Sequence, residues 1–133
     1  MNCYCGSPKS FESCCEKFLN EEELPASSEE LMRSRYSAFC TKNLDYLRDS
    51  LDPQNRQEFN HEATARWANE SKFSGLEIIR TEDKGNKGMV EFKAHYTFGD
   101  EKFIHHEIST FRKQAGQWFY KTGKILEVPE EKN

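Results

Sequence analysis

A chain of 133 residues has room for one ordinary domain, or for one domain and a short module, but not for two full domains. Its 19 basic and 23 acidic residues leave a formal charge of -4, which argues against non-specific nucleic-acid binding, a process that relies on neutralising many phosphates. Aromatic residues at 13% exclude a disordered chain, and no run approaches the roughly 20 apolar residues that span a bilayer. The opening MNCYCGSPKS has neither the basic start nor the apolar stretch of a secretory signal, so a cytoplasmic location is expected.

Four of the five cysteines crowd into the first fifteen residues: Cys3, Cys5, Cys14 and Cys15. A disulfide framework would spread its cysteines through a secreted domain, whereas four soft thiolates brought together in a reducing compartment suit tetrahedral zinc. Gly6 and Ser7 permit a tight turn with backbone N–H groups aimed at the thiolates. Residues 1–20 hold almost no apolar side chains besides Tyr4, Phe11, Phe18 and Leu19, so a metal would have to supply their folding energy. The expectation is one structural Zn²⁺ per chain in a module of residues 1–20. A redox-sensing cysteine cluster and a chance grouping of cysteines are the alternatives. Four protein thiolates leave no open position for water, which argues against a catalytic ion.

Residues 21–27 are acidic, contain Pro25, and read as a linker. Ser27 and Glu30 then form an S-x-x-E capping box. The helix they open carries Leu31, Met32, Tyr36, Phe39 and Cys40 on one face, with Glu30, Arg33, Ser34 and Ser37 on the other. Cys40 reads as a buried structural thiol, because nothing near it in sequence lowers its pKa. Asn43 is placed to cap a second helix bearing Leu44, Leu47 and Leu51, which ends at Asp52-Pro53. A third helix is expected over residues 55–69, with Phe59, Ala63 and Trp67 four apart.

The period then changes to two. Residues 76–79 read as a strand. From Val90 to Phe98 apolar and polar residues alternate, and strands are expected again over 102–113 and 117–125, separated by the turns at Gly99-Asp100 and Gln114-Ala115-Gly116. Three helices followed by an antiparallel four-stranded meander give an α+β domain over residues 28–128, with helices on one face of the sheet and a tail at 129–133.

Two resemblances follow from these residues. Cys3, Cys5-Gly6-Ser7, Phe11 and the Cys14-Cys15 pair resemble the SEC-C motif, a small zinc module. Cys15 stands where the SecA form has His, and Tyr4 stands where Pro is common. The helix run Met32-Arg33-Ser34-Arg35-Tyr36-Ser37-Ala38-Phe39, with Glu107, Ser109, Phe111 and Gly116-Gln117-Trp118-Phe119-Tyr120, is similar to the YchJ-like family. That resemblance implies a nuclear-transport-factor-2-like domain, in which a bent sheet wraps around helices as a cone with a pocket. It implies no particular activity. Similar SEC-C modules engage protein partners, including the export chaperone SecB and ribosomes.

On the third strand, Phe103, His105, Glu107, Ser109 and Phe111 share one face, a polar centre between aromatic ends. Glu107 is expected to pair with Arg35 on the packed helix and lock sheet to helix, since buried carboxylates need partners. The alternatives are a ligand pocket made by Arg35, Tyr36, Trp67, His105, Glu107, Ser109 and Trp118, or acid–base chemistry from the His105–Glu107 pair. His105 and His106 point to opposite faces and cannot readily chelate one ion. His61 and His95 read as solvated. No Gly-rich loop accompanies Arg33 and Arg35 to make a phosphate site, and Arg33 is expected in solvent. No catalytic residue is assigned. The leading functional expectation is a zinc-binding adaptor whose zinc knob recognises a protein partner. The alternative is a small-molecule binder, or minor enzyme, using the pocket.

Overall fold

A computed structural model of the chain describes residues 2–126. The expected tail at 129–133 and the last two residues of the expected domain, 127 and 128, lie outside them. Five helical segments precede the sheet: α1 (Glu16–Leu19), α2 (Ser28–Thr41), α3 (Leu44–Asp49), a single 3₁₀ turn (Arg56–Glu58) and α4 (His61–Glu70). The strands are β1 (Ser71–Lys84), β2 (Lys87–Phe98), β3 (Glu101–Gln114) and β4 (Gln117–Ile125). They pair antiparallel in the order β1-β2-β3-β4, the meander that the period-two segments predict.

Local chemistry sets the boundaries. Ser27 accepts the amide of Glu30 at 3.1 Å, and the Glu30 carboxylate reaches back to the amide of Ala26 at 2.8 Å. Asp83, from the end of β1, reinforces this cap by accepting from the amide (3.0 Å) and the hydroxyl of Ser28. Lys42, in the left-handed conformation, closes α2, and Asn43 caps α3 by accepting from the Tyr46 amide. The third predicted helix is divided. Phe59 is extended, and Asn60 starts α4 afresh by accepting from the Ala63 amide at 2.8 Å. β1 also begins five residues before the predicted strand and runs longer. It carries bulges at Phe73/Gly75 and Ile78/Arg80, which break its alternation and hide its length from a period count.

The sheet wraps around α2, whose Leu31, Met32 and Tyr36 pack against Val90, Phe92, Ala94, Phe111 and Trp118. The other face of α2 does not meet solvent as its polarity suggests, since Ser34 and Ser37 are fully buried. Ser34 donates to the Leu31 carbonyl and bonds the Tyr46 hydroxyl at 2.6 Å, so α3 covers that side. Ser37 lies 3.7 Å from the sulfur of Cys3, so the N-terminal module covers the rest. The loop after α3 is pinned to the sheet. Asp52, fully buried, takes a bidentate pair from Arg112 (2.7 and 2.8 Å) and gives its amide to the Tyr120 carbonyl. Cys40 is half-buried rather than buried, and burial pushes its thiol up to about 11.

Candidate functional site

The N-terminal segment folds back through a bridge between Asn2 and Ser10, and the Cys3 amide donates to the Lys9 carbonyl. Gly6, at φ +91°, makes the turn that follows Cys5, and its amide donates to the Cys3 carbonyl at 3.1 Å. The sulfurs of Cys3, Cys5, Cys14 and Cys15 all lie within 4.8 Å of one another, with 3.7 Å between Cys5 and Cys14 and 3.9 Å between Cys14 and Cys15. These four residues could hold a metal ion. A proton shared with Cys15 and the Ser7 N–H, with Arg33 alongside, bring Cys5 down to about 5 against the opposing effect of burial. The module is fastened to the domain. Arg33, expected in solvent, donates to the Cys5 carbonyl at 2.7 Å and to Glu29 at 2.9 Å, and Leu76 of β1 packs on the cysteines.

On the other side of α2 is a cavity of about 230 Å³. Its walls are largely aromatic, with Tyr36, Phe39, Trp67, Phe73 and Phe92 prominent, and its polar groups are Arg35, His105, Glu107 and Tyr120. Glu107 is buried and accepts three hydrogen bonds: from His105 Nε2 at 2.7 Å, and from Ser109 Oγ and Tyr120 Oη at 2.5 Å each. Burial favours the neutral acid, but the bonds from His105, Ser109 and Tyr120 outweigh it and hold the carboxyl below its ordinary value. Gly123 stands opposite Ser109 in the sheet, and only the absence of a Cβ there leaves room for the Glu107–Tyr120 contact.

Arg35 does not form the expected ion pair with Glu107. Its Nη1 donates instead to the Leu47 carbonyl (2.9 Å) and Ser50 Oγ (2.5 Å) at the end of α3, where helix carbonyls lack partners. Its guanidinium carbon sits 4.5 Å over the centre of the Tyr120 ring, whose hydroxyl serves Glu107. Tyr120 therefore stands between the two charges. Nε and Nη2 of Arg35 make no hydrogen bond to the described residues and are not among the fully buried unpaired atoms there, so they retain access to open space beside the cavity that Arg35 lines.

The family description "YchJ, middle NTF2-like domain" matches residues 27–123. The chain belongs to this family. Within it, the UPF0225 protein GSU1048 of Geobacter sulfurreducens is 38% identical over 124 residues, covering 91% of this chain and 77% of that protein. The solution structure of RPA3114, a SEC-C motif containing protein from Rhodopseudomonas palustris, superposes with a TM-score of 0.90 at 40% identity, over 96% of this chain and 100% of that one. A SEC-C motif containing protein from Psychrobacter arcticus gives 0.81 at 25% identity, over 98% and 85%.

The YchJ-like helix run thus borders both sites: Arg33 and Ser37 meet the cysteine cluster, and Met32, Arg35, Tyr36 and Phe39 line the cavity. Of the seven residues expected in the pocket, Arg35, Tyr36, Trp67, His105 and Glu107 line the cavity. Ser109 lies behind Glu107 as one of its donors. Trp118 lies elsewhere. It is opposite Lys113 at the far end of β4, in the core under a groove formed with Phe18, Leu24 and Tyr46, and its Nε1 is buried without a partner. The bulge between Thr110 and Phe111 in the β3–β4 ladder separates its level from that of Glu107. Tyr120, read from the sequence as core or pocket wall, lines the cavity, whereas Gly123 and Phe73 belong to the site without having been expected there. Gly123 gives no signal in the sequence, because its role is the space it leaves for a contact between Glu107 on the neighbouring strand and the Tyr120 hydroxyl. His61 is exposed, and His95 lies 3.7 Å from Glu77 at the surface. No helix among the described residues is long and apolar enough to cross a membrane.

Proposed function

We propose that the chain is a small-molecule-binding protein whose cavity is carried by the α+β domain, with a structural zinc ion held by Cys3, Cys5, Cys14 and Cys15. The observation that carries this reading is Arg35, a buried guanidinium beside an aromatic cavity with two nitrogens unengaged by the described residues. A cation with unspent hydrogen-bonding capacity on the wall of a largely aromatic cavity is the arrangement that fixes a small ligand by one polar group. The zinc reading rests on fit: a tetrahedron with Zn–S near 2.3 Å has sulfur–sulfur edges of about 3.8 Å, against 3.7 and 3.9 Å for two of the sulfur pairs here. Four-thiolate ligation is closed to substrate, so the ion serves the structure by holding the module against α2.

A second reading, the adaptor, is supported by Tyr4, which is half-exposed, edge-on to Phe11, and borders a groove that Cys40, Lys42 and Phe73 also line. An aromatic presented on a rigid knob is a suitable anchor for a protein partner.

The two readings separate in one experiment. Single-ring organic compounds are screened by ligand-observed NMR and thermal shift against the parent, Ala94→Phe and Tyr4→Ala. Ala94 lines the cavity, so a Phe there fills it and should abolish every hit, while Tyr4→Ala should abolish none. Hits that survive Ala94→Phe would remove the cavity reading. Elemental analysis of protein purified without chelators should give one zinc per chain.

A further inference from the structure

The small-molecule reading leaves the class of ligand open, and the charges around the cavity narrow it. The cavity has one fixed cation and one fixed anion, and their states of satisfaction differ. Glu107 has both oxygens engaged, by His105, Ser109 and Tyr120. Arg35 has no carboxylate within ion-pairing distance among the described residues. It gives one nitrogen to two neutral acceptors and rests on a ring face, with Nε and Nη2 left over. These two nitrogens form one edge of the planar guanidinium fork, which matches a carboxylate in bidentate fashion.

Size narrows the class further. A cavity of about 150 Å³ accommodates benzene. The present 230 Å³ therefore has room for one ring and a carboxyl group, and it excludes a nucleotide or a long lipid chain. A phosphate monoester fits poorly. It is nearly dianionic, no lysine lines the cavity, and the second negative charge would face the ionised Glu107. The N-terminus of α2, which would otherwise favour phosphate, is already taken by Ser27 and Asp83. The walls favour a flat apolar body, since Trp67 is in edge contact with Phe39, Phe73 and Tyr96 and presents a continuous aromatic surface.

Resting on the cavity reading of the preceding section, we propose that the ligand is a compact monocarboxylic acid with a single ring, its carboxylate on Nε and Nη2 of Arg35 and its ring among Phe39, Trp67, Phe73 and Phe92. His105, tied to Glu107 through Nε2, keeps Nδ1 for a polar substituent on that ring. Hydrogen bonds between charged groups are roughly twice as strong as neutral ones, so an acid should bind at least about tenfold tighter than its amide.

The test is isothermal titration of the zinc-loaded full chain with benzoate, phenylacetate and 3-phenylpropanoate, each beside the corresponding amide. Support is binding of at least one acid about tenfold or more above its amide, with loss of that binding in Ala94→Phe. Arg35→Lys keeps the charge but removes the fork. It should weaken the acid by about tenfold and leave the amide unchanged. If acids and amides bind alike, the carboxylate assignment falls and the cavity reading stands. If neither series binds, or if binding survives Ala94→Phe, both fall. Since Arg35 also ties down α3, a poorly folded Arg35→Lys would leave the decision to the acid–amide ratio in the parent and to Ala94→Phe.

Discussion

Gly123→Ala adds one methyl group to an ordinary strand position, and we expect it to be among the most damaging small substitutions in the molecule. The backbone there is not in the left-handed region, so on conformational grounds alanine should help by about 0.5–1 kcal/mol. The added Cβ, however, would overlap Glu107 Oε2 and the Tyr120 hydroxyl and would come within 2.6 Å of Glu107 Cδ. To give way, the carboxylate must leave Ser109 and Tyr120. Each hydrogen bond to an ionised acceptor contributes about 1.5–3 kcal/mol. Losing two of them, less the backbone gain, gives a net cost of about 2–5 kcal/mol. Urea unfolding followed by tryptophan fluorescence should show the midpoint lowered by about 1–2.5 M at an unchanged slope, for a slope of about 2 kcal/mol/M. Gly75→Ala is the control. It lies in the same sheet with nothing within 4 Å of the added atom, and it should stay within about 0.5 kcal/mol of the parent. Combining Gly123→Ala with Glu107→Gln should cost clearly less than the sum of the two, because both act on one set of bonds. A Gly123→Ala midpoint at or above the parent's would refute the reasoning.

The remaining predictions concern acid, metal and the module's attachment. The folded-state pKa of Glu107 is depressed, so its contribution is present above about pH 4.5 and is lost as pH falls through the folded value. Stability measured from pH 6 to pH 3 should therefore fall less steeply in Glu107→Gln than in the parent; parallel curves would show that the three bonds do not favour the ionised form. Asp52 has the same sign through Arg112, and it cancels in that comparison. Cys5→Ser should take the zinc content from one per chain to none and release amide protection across residues 3–19, leaving the sheet protected. A global loss of protection would show that the domain's core depends on the metal. Arg33→Met removes the bond to the Cys5 carbonyl and should speed zinc transfer to a chelator while the cavity's affinity for its ligand stays unchanged.

The elements legible in the sequence are those with a local cause. Ser27 and Asn43 announce their helices by capping chemistry, and β2 shows its period directly. The cysteine cluster is legible because the four residues that converge are close in sequence. Legibility ends where two distant segments settle the matter. An Arg35–Glu107 pair follows soundly from burial, but it leaves out Tyr120, which stands between the two charges, and the α3 carbonyls that take Nη1. Trp118 shares a strand with Tyr120, which makes it look like a cavity residue. The pocket is shorter than the strand, and the tryptophan lies beyond its end. Ser34 and Ser37 look like solvent-facing residues because a serine face ordinarily is polar surface. Here, burial of serine lets three layers approach one helix.

The buried serines of α2 also connect the two sites. On α2, Arg33 and Ser37 are four residues apart and meet the cysteine module, while Met32, Arg35, Tyr36 and Phe39 point to the cavity. A helix with apolar residues of ordinary size all round could not bring the module, α3 and the sheet this close. Small hydroxyl residues can, because Ser34 returns its proton to the Leu31 carbonyl and leaves no polar group unpaired. Each residue of the run Met32-Arg33-Ser34-Arg35-Tyr36-Ser37-Ala38-Phe39 thus answers to a neighbour: sheet core, module, α3, α3 and cavity, core, module, interior, aromatic wall. The cysteine cluster and the cavity are opposite faces of one rigid rod. The first turn of that rod is held by Asp83, and Gly88 is bare because a Cβ there would come within 2.8 Å of Ser28 and 2.7 Å of Asp83. The module therefore gives the domain what a chain of this size has difficulty supplying from apolar burial alone, a covered outer face for its central helix.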